Sequence, residues 1–157
     1  MTEIAQNLCY SLELSDIVFF KPKEKFLLWL KNFKKSVIDC GAGTGYFGME
    51  ANKVGIKVLG IDLYDREKIY SPVLTPVDST SYEFPKNTIA LISRPNRGCW
   101  IHETFQNAIN QNISLVYVGL KKHLIDDIYD SNLKWKLIMN DAGEDEEIVY
   151  FYESKGV

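Results

Sequence analysis

Cysteine is scarce in this chain of 157 residues: three are present, at positions 9, 40 and 99. Their odd number and wide spacing fit a reducing compartment and argue against a zinc cluster. No apolar run is long enough to span a bilayer. The opening residues, MTEIAQNLCYSLELS, lack a basic start and a continuous apolar stretch, so they do not read as a signal peptide. A soluble, cytoplasmic protein is expected, with no membrane association. Positive charge is not in excess either. The formal net charge of −3 argues against a protein that holds nucleic acid by broad phosphate neutralisation, although a local basic face remains open. The length also leaves no room for a separate substrate domain beside a proper core, so 1–157 reads as one domain. Specificity then has to come from loops or from a partner. What the chain does have is the composition of a folded globular protein, 46% apolar and 13% aromatic.

The most informative stretch is VIDCGAGTGYFG at 37–48, followed by VLGIDL at 58–63. Val37 and Ile38 close a buried strand. Gly41, Gly43 and Gly45 supply a backbone that can turn sharply and approach a ligand with no Cβ in the way. A helix is expected from about Tyr46, and its first amides would point into the turn with partial positive charge. Asp62 ends the next strand, at about the 20-residue distance that separates a glycine loop from a ribose-binding acid. A dinucleotide fingerprint would require glycine at position 46, where Tyr46 stands, so a nicotinamide oxidoreductase is disfavoured. An ordinary tight turn is the plainer alternative for the glycines.

Asp39-Cys40-Gly41-Ala42-Gly43-Thr44-Gly45 resembles the D/E-x-G-x-G-x-G loop of the class I S-adenosylmethionine-dependent methyltransferases. The resemblance implies a cofactor site built from Asp39, Gly41, Ala42, Gly43, Gly45, Asp62, Leu63 and Asp78. Asp39 and the glycines would line the methionine portion, and Asp62 would accept hydrogen bonds from both ribose hydroxyls. Asp78, after the third strand, would hold the adenine amino group; its other reading is a turn cap with Ser79 and Thr80.

Taken in order, residues 1–21 form an N-terminal extension with at most a short helix, either packed on the domain or capping the ligand site. Pro22 suits the first position of a helix that carries Phe26, Leu27, Leu30 and Phe33 at helical spacing. Its other face belongs to the most basic stretch of the chain, read as solvated in preference to an RNA patch. Strands are expected at 36–39, 57–61, 88–93 and 113–118, the central ones as continuous apolar runs buried on both faces. Pro72, Pro76 and Pro85 forbid a long helix in the 64–87 crossover and leave a short strand at 73–77. Helices are expected at about 100–110 and over LKKHLIDDIYD. The chain then closes with an antiparallel hairpin around a solvated acidic turn. This order over about 36–153 resembles the class I methyltransferases, which implies an α/β, Rossmann-like three-layer sandwich with a mostly parallel seven-stranded sheet.

The acceptor site is expected near residues 94–103. Base-amino methyltransferases carry Asp or Asn, two prolines and an aromatic after the fourth strand; this chain has Ser93-Arg94-Pro95-Asn96. Arg94 and Arg97 instead suggest an anionic acceptor, or else plain solvent exposure. Asn96, Arg94 and His102 are the candidate catalytic residues, His102 as a neutral base or a surface histidine. Cys40 reads as a small buried residue, and His123 has no assigned role. Two functions stay open: a methyltransferase acting on an unidentified small-molecule or macromolecular acceptor, or a methyltransferase-like module without catalysis that serves a protein partner. A homo-oligomer is also possible.

Overall fold

The computed structural model describes residues 18–155. Most of the N-terminal extension, and any helix in it, therefore lies outside the described residues. Phe26, Leu27 and Leu30 bury one side of helix α1 (Glu24–Lys31). Pro22 does not begin this helix. It bridges to Gly143, and the Lys23 N–H donates to the Ala142 carbonyl at 2.8 Å, so the chain entering α1 is held by a loop near its other end.

The elements that follow are β1 (Ser36–Cys40), α2 (Tyr46–Lys53), β2 (Val58–Ile61), β3 (Val73–Leu74) and β4 (Thr88–Ser93). After them come α3 (Trp100–Asn110), β5 (Ser114–Gly119), α4 (Leu124–Asp127), β6 (Lys136–Met139) and β7 (Ile148–Tyr152). They build one seven-stranded sheet in the order β3-β2-β1-β4-β5-β7-β6. The first five strands are parallel, and β7 runs antiparallel to both of its neighbours.

The continuous apolar runs are explained by helices on both faces. Successive side chains of a strand point to opposite sides. Val37, Ile89, Leu91, Val116 and Val118 pack with Phe26, Leu30, Phe47 and Ala51 of α1 and α2. Ile38, Cys40, Ala90, Ile92, Leu115 and Tyr117 pack with Ile101, Phe105, Ala108, Leu124 and Ile128 on the other side. The result is the expected three-layer α/β sandwich, with Cys40 as a small core residue.

Three further expectations are corrected. The segment LKKHLIDDIYD is not one helix but α4 between 3-10 turns at Lys121–His123 and Tyr129–Ser131. Leu124 and Ile128 are its buried apolar pair, one turn's worth, and Asp127 is drawn into the core by Tyr117. The acidic loop before β7 is not simply solvated: Lys25 pairs with Asp141, Lys21 with Glu144 at 3.8 Å, and Arg94 with Asp145 and Glu147. The third strand has two residues where five were expected, because Pro76 has no N–H to give a ladder. Among the described residues no helix is long and apolar enough to cross a membrane.

Candidate functional site

Parallel strands place the loops at their C-terminal ends along one edge of the sheet. There the segments after β1, β2, β3 and β4 enclose a cavity of about 200 Å³. Its floor is the glycine loop. Gly41, Gly43 and Gly45 have φ of +73°, +60° and +77°, a left-handed backbone that side chains resist. The loop is also gripped from both sides. The Trp100 indole lies 3.2 Å from where a Gly41 Cβ would stand, and the Ser71 carbonyl oxygen 2.6 Å from where a Gly45 Cβ would stand. Ser71 belongs to the helix-free crossover, and its hydroxyl donates to the Gly45 carbonyl at 2.5 Å.

Asp62, 6% exposed, braces this loop. Its Oδ2 accepts the Gly43 N–H at 2.8 Å and its Oδ1 the Tyr64 N–H at 2.9 Å. Arg66, whose side chain is almost fully buried, brings Nη2 to 3.8 Å from Asp62 Oδ2 and donates through Nη1 to the Tyr64 carbonyl. Asp39 is the penultimate residue of β1, beside them. Its carboxyl is buried, and Oδ1 has no hydrogen-bond partner among the described residues. Burial, reinforced by the neighbouring Asp62 carboxylate, pushes its pKa up to about 8.

The cavity lining unites Asp39, Gly41, Ala42, Gly43, Asp62, Leu63, Asp78, Arg94 and Asn96. Gly45 stands behind it as the N-cap of α2. Asp78 combines both of its readings: Oδ1 caps a turn by accepting from the Thr80 N–H and hydroxyl at 2.9 and 2.7 Å, while the residue also lines the cavity. The segment after Asp78 is fastened to α3, where Asn107 Nδ2 donates to the Ser79 and Tyr82 carbonyls at 3.0 Å and Gln111 Nε2 to Tyr82 at 2.9 Å.

Beyond β4 the expectations change most. Arg94 Nη1 donates to Glu147 Oε2, Asp145 Oδ2 and the Phe19 carbonyl, each at 3.1 Å, and Glu147 is fully buried. Its guanidinium is therefore committed to the protein's own acids and not free for an anionic acceptor. Arg97 is likewise spent on the buried Asp127, which also accepts from Tyr117. His102 does not line the cavity. It lies two residues past Trp100, about 200° around the helix, and faces a separate hollow with Cys99, Asp126 and Asp130. Asn96 remains at the cavity; its carbonyl accepts the Trp100 indole N–H at 3.0 Å.

Sequence reasoning missed Arg66 and Tyr64, while the end of the N-terminal extension, Val18–Phe20, stands where its capping alternative put it. Val18, Phe19 and Phe20 line the cavity, with Phe20 stacked on Phe47 at 5.9 Å between ring centroids. The spacing of Arg66 four residues after Asp62 was the available signal for the first of these.

No protein-family model matches the sequence, and no curated protein matches it. Solved structures do share its fold. A Thermoplasma acidophilum protein matches at a TM-score of 0.60 and 15% identity, covering 85% of this chain and 88% of its own. A TehB-like SAM-dependent methyltransferase from Corynebacterium glutamicum matches at 0.53 and 14%, covering 98% and 97%. A glycopeptide N-methyltransferase solved with sinefungin matches at 0.59 and 9%, covering 99% and 98%. With the strand order and the glycine loop described above, these likenesses give the chain the class I methyltransferase fold.

Proposed function

We propose that the chain binds S-adenosylmethionine in this cavity and transfers a methyl group to an acceptor held by the loop after β4. The observation that carries the reading is Asp39, a buried acid of the cavity lining whose Oδ1 has no hydrogen-bond partner among the described residues. Such a group calls for a ligand that brings donors or positive charge, and an ammonium beside a sulfonium brings both. Asp39, Gly41, Ala42 and Gly43 then hold the methionine portion, with Gly45 keeping the turn. Asp62 and Leu63 hold the ribose: each Asp62 oxygen accepts one backbone N–H and keeps capacity for one hydroxyl. Asp78 takes the adenine edge through Oδ2. The sinefungin bound by the glycopeptide N-methyltransferase of this fold supports the assignment.

The bound sulfonium supplies an activated methyl group whose leaving group departs neutral. No general acid is needed, and a base helps only when the acceptor carries a proton. The chain's contribution is alignment, with Trp100 and Asn96 orienting the acceptor and Val18–Phe20 closing that side of the cavity from water. The free thiols of Cys40 and Cys99 accord with a cytoplasmic protein. A non-catalytic binding module is the second reading. It is favoured by the commitment of Arg94 and the position of His102, which leave the acceptor loop without a free charged group.

Calorimetric titration with S-adenosylmethionine, S-adenosylhomocysteine, sinefungin and NAD tests the proposal. Selective micromolar binding of the three methionine-type nucleosides is expected. Preference for NAD, or no binding at all, overturns it.

A further inference from the structure

Resting on that cofactor reading, we infer that the remaining part of the cavity takes a neutral, planar aromatic molecule as acceptor and rejects carboxylates and phosphates. The first ground is charge. Among the described residues the cations lining the cavity are Arg66 and Arg94. Arg94 stands against two carboxylates, Glu147 and Asp145, so that cluster carries surplus negative charge. Arg66 is folded over Asp62, and Asp78 adds a further acid. An incoming anion meets no unspent cation, in a recess where partial exclusion of water makes repulsion stronger than at the surface. The same surplus suits a cationic cofactor.

The second ground is shape and surface. The acceptor side is walled by Phe19 and Trp100, with Val18 and Pro95 beside them. The Trp100 indole N–H is already given to the Asn96 carbonyl, so its ring offers a face and not a donor. Aromatic faces favour offset or edge contact with another flat ring. Asn96, which also lines the cavity, carries an uncharged amide able to donate and accept. Because Trp100 also packs on Gly41, the ring that would touch the acceptor rests on the loop that would hold the cofactor.

The experiment uses the whole chain saturated with S-adenosylhomocysteine. Quinoline and 2-naphthol are titrated against quinoline-4-carboxylate, 2-naphthoate and inorganic phosphate, followed by calorimetry and by tryptophan fluorescence. The Trp100→Phe variant, which retains Trp29 and Trp135, identifies the responding ring. The neutral rings should bind about tenfold or more tighter than their carboxylates, equivalent to ~1.4 kcal/mol, with quenching lost in Trp100→Phe. Asp145→Ala, at an exposed position, should narrow that ratio severalfold by unmasking Arg94. Equal or tighter binding of a carboxylate or phosphate overturns the inference, as does no binding of any ring to the loaded protein or an unchanged ratio in Asp145→Ala. Failure to load S-adenosylhomocysteine overturns the cofactor reading itself, which separates the two failures.

Discussion

The Asp62 carboxylate accepts the Gly43 N–H at 2.8 Å across nineteen residues of chain, which fastens the end of β2 to the glycine loop after β1. One side chain thus shapes the loop and, in the proposed function, receives the ribose. Asp62→Ala should weaken S-adenosylhomocysteine binding by about 1.5–3 kcal/mol, the range for hydrogen bonds to a charged group. Calorimetry would measure it, and unchanged affinity would remove the ribose assignment.

Asp39 makes two pH-dependent predictions. Its pKa is raised from 3.8 to about 8, so between pH 4 and pH 8 the folded chain holds a proton that the unfolded chain has released. Stability contributed by this group therefore falls as pH rises through that window, and Asp39→Asn should flatten the slope in urea titrations at stepped pH. A cationic ligand instead needs the charged carboxylate. Cofactor affinity should drop as pH falls below about 8, by up to about tenfold per unit, with proton release visible as a dependence of the binding heat on buffer.

Gly43 and Gly45 share a left-handed backbone but not surroundings. Nothing lies within 4 Å of a Gly43 Cβ, whereas a Gly45 Cβ would meet the Ser71 backbone at 2.6 Å. Gly43→Ala should lower stability by about 1–2 kcal/mol, the cost of the conformation alone. Gly45→Ala should lose clearly more and displace the 70–72 crossover, readable as the difference between the two melting temperatures.

Arg94→Ala should act on folding before it acts on any ligand. Glu147, fully buried, would lose its guanidinium partner, and breaking a buried pair from one side is worth about 3–5 kcal/mol. Denaturant titration should show that loss, and Arg94→Ala combined with Glu147→Gln should recover part of it. Full stability in the single variant would contradict the bracing role.

What was legible in the sequence was what local spacing encodes. Asp39 to Gly45 marked the cavity floor because three glycines in seven residues demand an unusual backbone, and TIALIS marked β4 because a strand covered on both faces cannot alternate. The partners of Arg94 and Arg97 were not legible. Their acids lie 51, 53 and 30 residues further on, and pairings made by the fold leave no local pattern. His102 misled for a related reason: a place within residues 94–103 says nothing of which side of a helix a residue takes. The acidic stretch before β7 looked like solvated surface because Lys21, Lys25 and Arg94, which receive it, come from far earlier in the chain.

The insertion of β7 between β5 and β6 bears on how the chain comes to be folded. Leu115–Gly119 pairs with Ile148–Tyr152 and not with the strand that follows it in sequence. During synthesis β5 therefore keeps an open apolar edge while some thirty further residues emerge, the condition under which neighbouring nascent chains stick together. Closure waits for the final hairpin to slot in, a long-range pairing that is intrinsically slow. The same pairing sets Glu147 under Arg94, so closure of the sheet edge and bracing of the acceptor loop depend on one hairpin.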